Sequence, residues 1–261
     1  MHRNLIWTPP EKRIRRFAPP PPSIGYALGV GGRASQQQDF DPGTLGLTGW
    51  WRAPYSASPW VGTPSEGLSG NRNLTEATNP PAVGGALNGY APPDFDGVND
   101  QLSTALTIAN FFTTSMSFIA LINMDTLAVD GSDDAAPGII ADTGSYFKVK
   151  IEASGAELYF FNAGAKRSGY VAISTATWTM VRAKWSGTNL YIAKNAGAWS
   201  APVASGAPDI TTGTIRVGAN YNATTFIDGR VAELMVADSE LSDASFDGIR
   251  RYINKRYALA L

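Results

Sequence analysis

Ala91–Ser103 reads APPDFDGVNDQLS, and this stretch decides the fold. Asp96-Gly97 is a turn dipeptide: glycine takes positive φ at no steric cost, and the aspartate side chain bonds nearby backbone amides. The stretch predicts a strand, a tight turn and a second strand. Its counterpart near the end is Phe226–Val236, FIDGRVAELMV, an acidic turn followed by alternating side chains. Between the two, apolar residues recur with period two. Met116, Phe118, Ala120 and Ile122 share one face of a buried strand. Phe147, Val149 and Ile151 alternate with Lys148, Lys150 and Glu152, which predicts a half-exposed strand. Ala153–Ala156 turns that strand into Glu157–Asn162, and Ser186–Asn189 links Val181–Trp185 to Leu190–Ala193. Strands with turns between them and no alternating helices predict an antiparallel sandwich. The tail is different. Ser242 is a good N-cap with Asp243 behind it, and Phe246, Ile249, Ile253 and Tyr257 form one helical stripe. Arg250, Arg251, Lys255 and Arg256 fall on its other faces, and a solvated face is the expected reading of that charge.

In this order the segments resemble the laminin-G-like (concanavalin A-like) domains of bacterial and phage proteins. The match runs from about Leu45 to Tyr257. Gly46–Trp51 (GLTGWW) fits the opening strand of that family. Trp60 with Ser69–Asn73 (SGNRN) fits its loop, and Trp178–Ile192 (WTMVRAKWSGTNLYI) its hairpin. Gly229, Ala232 and Glu233 fit the closing strand. The family's tyrosine-valine-asparagine-glycine step after the hairpin departs here to Tyr191-Ile-Ala-Lys-Asn195. The resemblance implies an all-β antiparallel β-sandwich, a concanavalin A-like jelly roll, with one short C-terminal helix. It implies a scaffold for binding or assembly, since only some members are hydrolases.

Composition narrows the chemistry. Charged residues make up 16% of the 261, well under the ~25% of an average globular chain. There is no cysteine, and the one histidine is His2. A Ser-His-Asp triad within the body, a thiolate site and a multi-histidine zinc site are therefore excluded. No stretch approaches the ~20 apolar residues of a membrane helix, and neither a signal peptide nor a membrane contact is expected.

Residues 1–44 read as an extended Pro/Arg-rich arm and a Gly-rich linker, and 45–261 as the sandwich with its helix. Pro9-Pro10 and Pro19–Pro22 enforce extended backbone. Tyr26, Leu28 and Val30 alternate in the linker, as in an edge strand, although a flexible tether fits equally. The first 22 residues carry five basic side chains against Glu11, a balance of +4 in a chain whose total is −1. Apolar anchors punctuate the arm. Arg3, Trp7, Lys12, Arg13, Arg15, Arg16 and Phe17 are the candidate partner-binding residues, with arginines pairing with acidic surface and aromatic rings filling pockets.

No catalytic residue is assigned. A glycosidase needs two carboxylates flanking one sugar bond. Glu152 and Glu157 flank a turn, and Glu233 stands alone on its strand. No cofactor is expected. The resemblance admits calcium at the sandwich rim, and Asp94, Asp96 and Asp100 and then Asp130, Asp133 and Asp134 lie in turns. Turn aspartates commonly bond backbone amides instead, and no metal ligand is assigned. Trp60, Tyr90, Trp199 and Tyr221 are the aromatic residues in or near loops. Asn73 and Asn222 head glycosylation-type triplets.

Two functions fit. The first is a non-enzymatic structural protein of a phage virion (capsid decoration, head fibre or tail appendage), held to other virion proteins by its arm within an oligomer or larger assembly. The second is a carbohydrate-binding or adhesion module of a phage or bacterial surface, with surface glycans as partners. Nucleic acid is not an expected partner.

Overall fold

The computed structural model describes residues 39–62, 72–76, 78–128, 135–144, 147–161, 165–206 and 213–261. In chain order its strands are β1 (Leu47–Arg52), β2 (Ala82–Val83), β3 (Pro93–Asp96), β4 (Leu102–Thr107), β5 (Met116–Thr126), β6 (Gly138–Asp142) and β7 (Phe147–Glu152). They continue as β8 (Gly155–Phe161), β9 (Ala165–Arg167), β10 (Thr179–Trp185), β11 (Asn189–Lys194), β12 (Val203–Ala204), β13 (Thr214–Val217) and β14 (Asp228–Ala237), and the helix α1 (Asp243–Tyr257) follows. The arm residues Arg3, Trp7, Lys12, Arg13, Arg15, Arg16 and Phe17, the linker residues Tyr26, Leu28 and Val30, and Asp130, Asp133 and Asp134 lie outside the described residues.

Two antiparallel sheets face each other. The first has the order β12-β11-β10-β5-β14-β3-β2, with β1 paired to the C-terminal half of β14. The second has the order β4-β13-β6-β7-β8-β9. The Asp96-Gly97 turn leads out of β3 in the first sheet towards β4 in the second, so it closes one end of the sandwich. Its geometry follows from its residues: Gly97 sits at φ 73°, and the Asp96 carboxylate accepts the Val98 and Asn99 amides at 2.8 and 3.1 Å.

The core fills the space between the sheets. Phe118, Ala120, Ile122, Val181 and Leu234 meet Val149, Ile151, Leu158, Ile215 and Val217, all of them buried. Phe160 sets its ring edge-on to Phe147 and Trp185 at 5.8 and 5.4 Å between centroids, the orientation that ring quadrupoles favour.

β5 is apolar on both faces because the first sheet is covered twice. Its outward residues Ile119 and Leu121 join Trp50, Met180 and Met235 in a second cluster under α1, with Phe246, Ile249, Ile253 and Tyr257. The expected stripe is the docked face. Ser242 caps the helix by accepting the Ser245 amide at 3.1 Å. Gly248 is required by packing, since a Cβ there would lie 2.4 Å from the Phe40 ring. Lys255 pairs with Asp39 at 2.5 Å. Asp39 and Phe40, which the sequence placed in the linker, are thus in contact with the body.

Two readings of charge are corrected by the structure. The outward face of β7 is not half-exposed: Lys148, Lys150, Glu152 and Glu157 are all buried. Lys150 Nζ lies 3.2 Å from Glu152 Oε1 and 2.9 Å from Glu157 Oε2, so neutralisation makes the burial tolerable. Alternation shows which residues turn away from the apolar core, not whether water reaches them. Likewise Arg256 is not a solvated helix residue. Its guanidinium stacks 3.9 Å from the Tyr90 ring centroid and donates to the Ala53 carbonyl. Arg250 and Arg251 do remain near the surface, sharing Asp247.

Candidate functional site

Strand register assembles a polar patch on the helix-side face of the first sheet, at the end that carries the Asp96-Gly97 turn. Arg230 of β14 is paired across the backbone with Asp94 of β3 on one side and Asn123 of β5 on the other. Neighbouring strand residues in register share a face. Phe95, Ile122 and Val231, which alternate with the three, all point into the core. Trp178, one residue before β10, brings its ring centroid to 5.8 Å from the Arg230 guanidinium. One row therefore carries a carboxylate, a guanidinium, an amide and an indole.

A second row lies closer to the sandwich rim. Asp228 pairs with Asp96 on β3 and with Thr126 on β5, and the Thr126 hydroxyl donates to Asp228 Oδ2 at 2.7 Å. The ladder between Asp228 and Gly229 carries an irregularity. The extra residue on the β5 side is Asp125, so Asp125 and Thr126 both leave the core. Asp125 Oδ1 then accepts Arg230 Nη2 at 3.1 Å. Gly229 is needed for this: its φ is 145°, and a Cβ would sit 2.5 Å from the Asn123 carbonyl oxygen. Asp96, Thr126 and Asp228 also line a cleft of about 350 Å³ at the rim, with Phe226 and Val98 as its apolar wall.

The electrostatics of the patch are uneven. Burial pushes the Asp94 carboxyl above the ordinary carboxylate range, Arg230 opposes this, and Asp125 and Asp228 reinforce it. For Asp96 burial is the largest single effect and acts upward, but bonds from several backbone amides together outweigh it, and its pKa is lowered. The most informative feature is a mismatch. Asn123 is 5% exposed, and among the described residues its Oδ1 has no hydrogen-bond partner; Arg230 Nε has none either. An orphaned acceptor and an orphaned donor thus occupy register-paired positions. Buried polar groups are rarely left this way.

The aromatic residues suggested by sequence serve other ends. Trp60 is buried and donates its indole N–H to the Arg52 carbonyl at 3.0 Å. Tyr90 is held between Arg256 and Tyr257. Trp199 packs edge-on to Phe246 and donates to Asp243 Oδ1 at 2.7 Å. Tyr221 is half-buried, and its carbonyl accepts Arg216 Nη1 at 2.6 Å. Trp178, which sequence placed only within a hairpin motif, is partly buried against the second apolar cluster and stands beside Arg230. Asn123 and Arg230 were visible as polar residues interrupting apolar strands, but nothing in the linear sequence aligned them. Of the rim aspartates, Asp100 is buried and accepts the Asp96 amide at 3.0 Å. Among the described residues no group of three or more His, Cys, Asp or Glu side chains is arranged to hold a metal ion.

A second cleft, also about 350 Å³, is lined by Arg52, Tyr55, Trp60 and Arg256 among others. Its two guanidiniums are engaged, Arg52 over the Trp50 ring at 4.5 Å and Arg256 over Tyr90. Beneath them Glu233 is fully buried. It accepts Trp50 Nε1 at 2.5 Å and the Tyr257 hydroxyl at 2.6 Å, with the Tyr252 hydroxyl at 3.3 Å. This cluster fastens α1 to the sheet.

No protein-family model matches the chain, and no curated protein sequence does. Solved structures match by fold. The receptor-binding domain of botulinum neurotoxin mosaic serotype C/D superposes with a TM-score of 0.56 at 15% identity, covering 79% of this chain and 50% of that one. A Trypanosoma rangeli sialidase in complex with 2,3-difluoro-KDN superposes with a TM-score of 0.53 at 12% identity, covering 81% of this chain and 33% of that one. Domain 4 of AbnA, an arabinanase of Geobacillus stearothermophilus solved with arabinotriose, gives 0.47 at 11% identity, covering 81% of this chain and 98% of that one. The chain thus spans about a third of the sialidase and half of the neurotoxin domain. Its class is an all-β antiparallel sandwich, the fold it shares with parts of these proteins, consistent with the concanavalin A-like expectation.

Proposed function

We propose that the protein is a non-catalytic carbohydrate-binding sandwich, displayed by a virion and anchored to other virion proteins through its N-terminal arm. The observation that carries the binding reading is the orphaned Asn123 Oδ1 and Arg230 Nε pair beside Trp178. Sugars offer hydroxyls that donate and accept at once, and an apolar ring face that stacks on an indole. A receptor-binding domain and a sialidase that share this sandwich fold support the reading. The non-catalytic part rests on the state of the carboxylates. Asp125 is held by Arg230, Asp228 by Thr126 and Asp96 by backbone amides. Burial raises the Asp94 carboxyl, but retaining or inverting hydrolysis requires two carboxyl groups in complementary roles.

The full-length protein, titrated against immobilised glycans, is expected to bind a defined subset. Trp178→Ala is expected to weaken that binding at least tenfold, about 1.4 kcal/mol, with an unchanged far-UV spectrum. Intact binding in that variant, or no glycan bound by the wild type, would overturn the binding reading. Sugar release abolished by Asp94→Asn would overturn the non-catalytic one. For the arm, replacing Arg13, Arg15 and Arg16 with Ser is expected to weaken attachment to the particle and flatten its salt dependence, because exposed charge pairs are screened beyond about 10 Å at 0.1 M salt. Wild-type attachment by that variant would make the arm passive.

A further inference from the structure

We infer that the patch selects neutral glycans and rejects anionic ones, an inference that rests on the carbohydrate-binding reading above. The two rows bring four carboxylates, Asp94, Asp96, Asp125 and Asp228, around one guanidinium, Arg230. That guanidinium is already spent in part, since Nη2 is paired with Asp125 at 3.1 Å. Asp94 feels both Asp125 and Asp228 as like charges, so the carboxylates act on a common volume.

A ligand hydroxyl bound beside Trp178 and Arg230 enters this field. Carboxylates accept hydrogen bonds from neutral hydroxyls readily, and such charge-assisted bonds are stronger than neutral ones. A sialic acid, uronate or sulfate group would bring another negative charge into the same volume. Repulsion between like charges that close suppresses the wrong ligand more strongly than it helps the right one. Arg230 is the one cation of these two rows, and with its Nη2 held by Asp125 the four carboxylates outweigh the positive charge that would offset it.

The test uses the full-length protein on an array holding neutral, sialylated, uronate-containing and sulfated glycans, read at 0.05 and 0.5 M NaCl. Neutral glycans are expected to bind at least tenfold more tightly than anionic relatives of the same backbone. The ratio is expected to shrink at the higher salt. The double variant Asp125→Asn, Asp228→Asn is expected to narrow it further at low salt, with a melting temperature near wild type as the control for folding. Tight binding of anionic glycans, lost in Trp178→Ala, would overturn the selectivity while leaving the carbohydrate-binding reading in place. A ratio unaffected by the double variant would also overturn it. Binding to no glycan at all would remove the carbohydrate-binding reading, and the selectivity with it.

Discussion

Replacing Glu233 with Ala is expected to lower the unfolding free energy by about 3–5 kcal/mol, the scale for removing one partner from a buried charged network. The substitution takes a partner from three groups together, leaving Tyr257 its bond to the Ala232 carbonyl at 3.0 Å. Trp50 Nε1 and the Tyr257 hydroxyl lose the acceptors they hold at 2.5 and 2.6 Å. Arg256, whose Nε lies 3.9 Å from the carboxylate, loses its counter-charge. The expected readout is a lower urea midpoint at unchanged slope, since the native and unfolded surfaces are otherwise the same. Glu233→Gln keeps an acceptor for Trp50 and a polar partner for Tyr257, and about 1 kcal/mol is expected there, the scale of one hydrogen bond. Equal losses in the two variants would mean that charge, not hydrogen bonding, fastens the helix.

The same carboxyl sets a pH dependence. Burial raises its pKa, although the bonds from Tyr257 and Trp50 and the field of Arg256 act the other way. Between the ordinary carboxylate range and that raised value, the folded protein holds a proton that the unfolded chain has released. Stability therefore falls as pH rises through this window. Glu233→Gln is expected to remove this component, leaving a flatter profile there. The charge also reaches its neighbours. Burial first, then the field of Glu233, pushes the Tyr252 hydroxyl up to about 12.

Glu233 shows where sequence reading stops. Counting by twos from Val231, a core residue, places Glu233 in the core as well. The ladder between β14 and β5 is irregular between Val231 and Glu233, and the extra residue, Ala232, turns both itself and Glu233 towards α1. Composition gives no sign of such a bulge; it is a property of the register between two strands. The polar patch was hidden for a related reason. Asp94, Asn123, Trp178 and Arg230 come from four separate segments, and only the pairing of β3, β14 and β5 brings three of them into one row. By contrast, the Asp96-Gly97 turn and α1 were legible, because a glycine at positive φ and a capped stripe are encoded within a few neighbouring residues.

Lys150→Ala is expected to cost about 3–5 kcal/mol, an effect that the sequence pattern alone would not suggest. Exposed on a half-solvated strand, a lysine beside two glutamates would contribute ~0–1 kcal/mol. Here Lys150, Glu152 and Glu157 are 1%, 2% and 1% exposed. Lys150 and Glu157 are direct cross-strand partners between β7 and β8, and Glu152 follows Lys150 by two residues on the same face. Removing the cation takes from two buried carboxylates the ammonium that they share, and the loss of that charge compensation in a dry site dominates the outcome. The triple variant Lys150→Met, Glu152→Gln, Glu157→Gln removes all three charges at nearly constant volume and is expected to recover most of the loss. Urea midpoints for the single and triple variants provide the measurement. A single-variant loss within 0.5 kcal/mol of wild type would show that this face meets water in solution, and that the half-exposed strand read from the sequence describes β7 better than its buried ion pairs do.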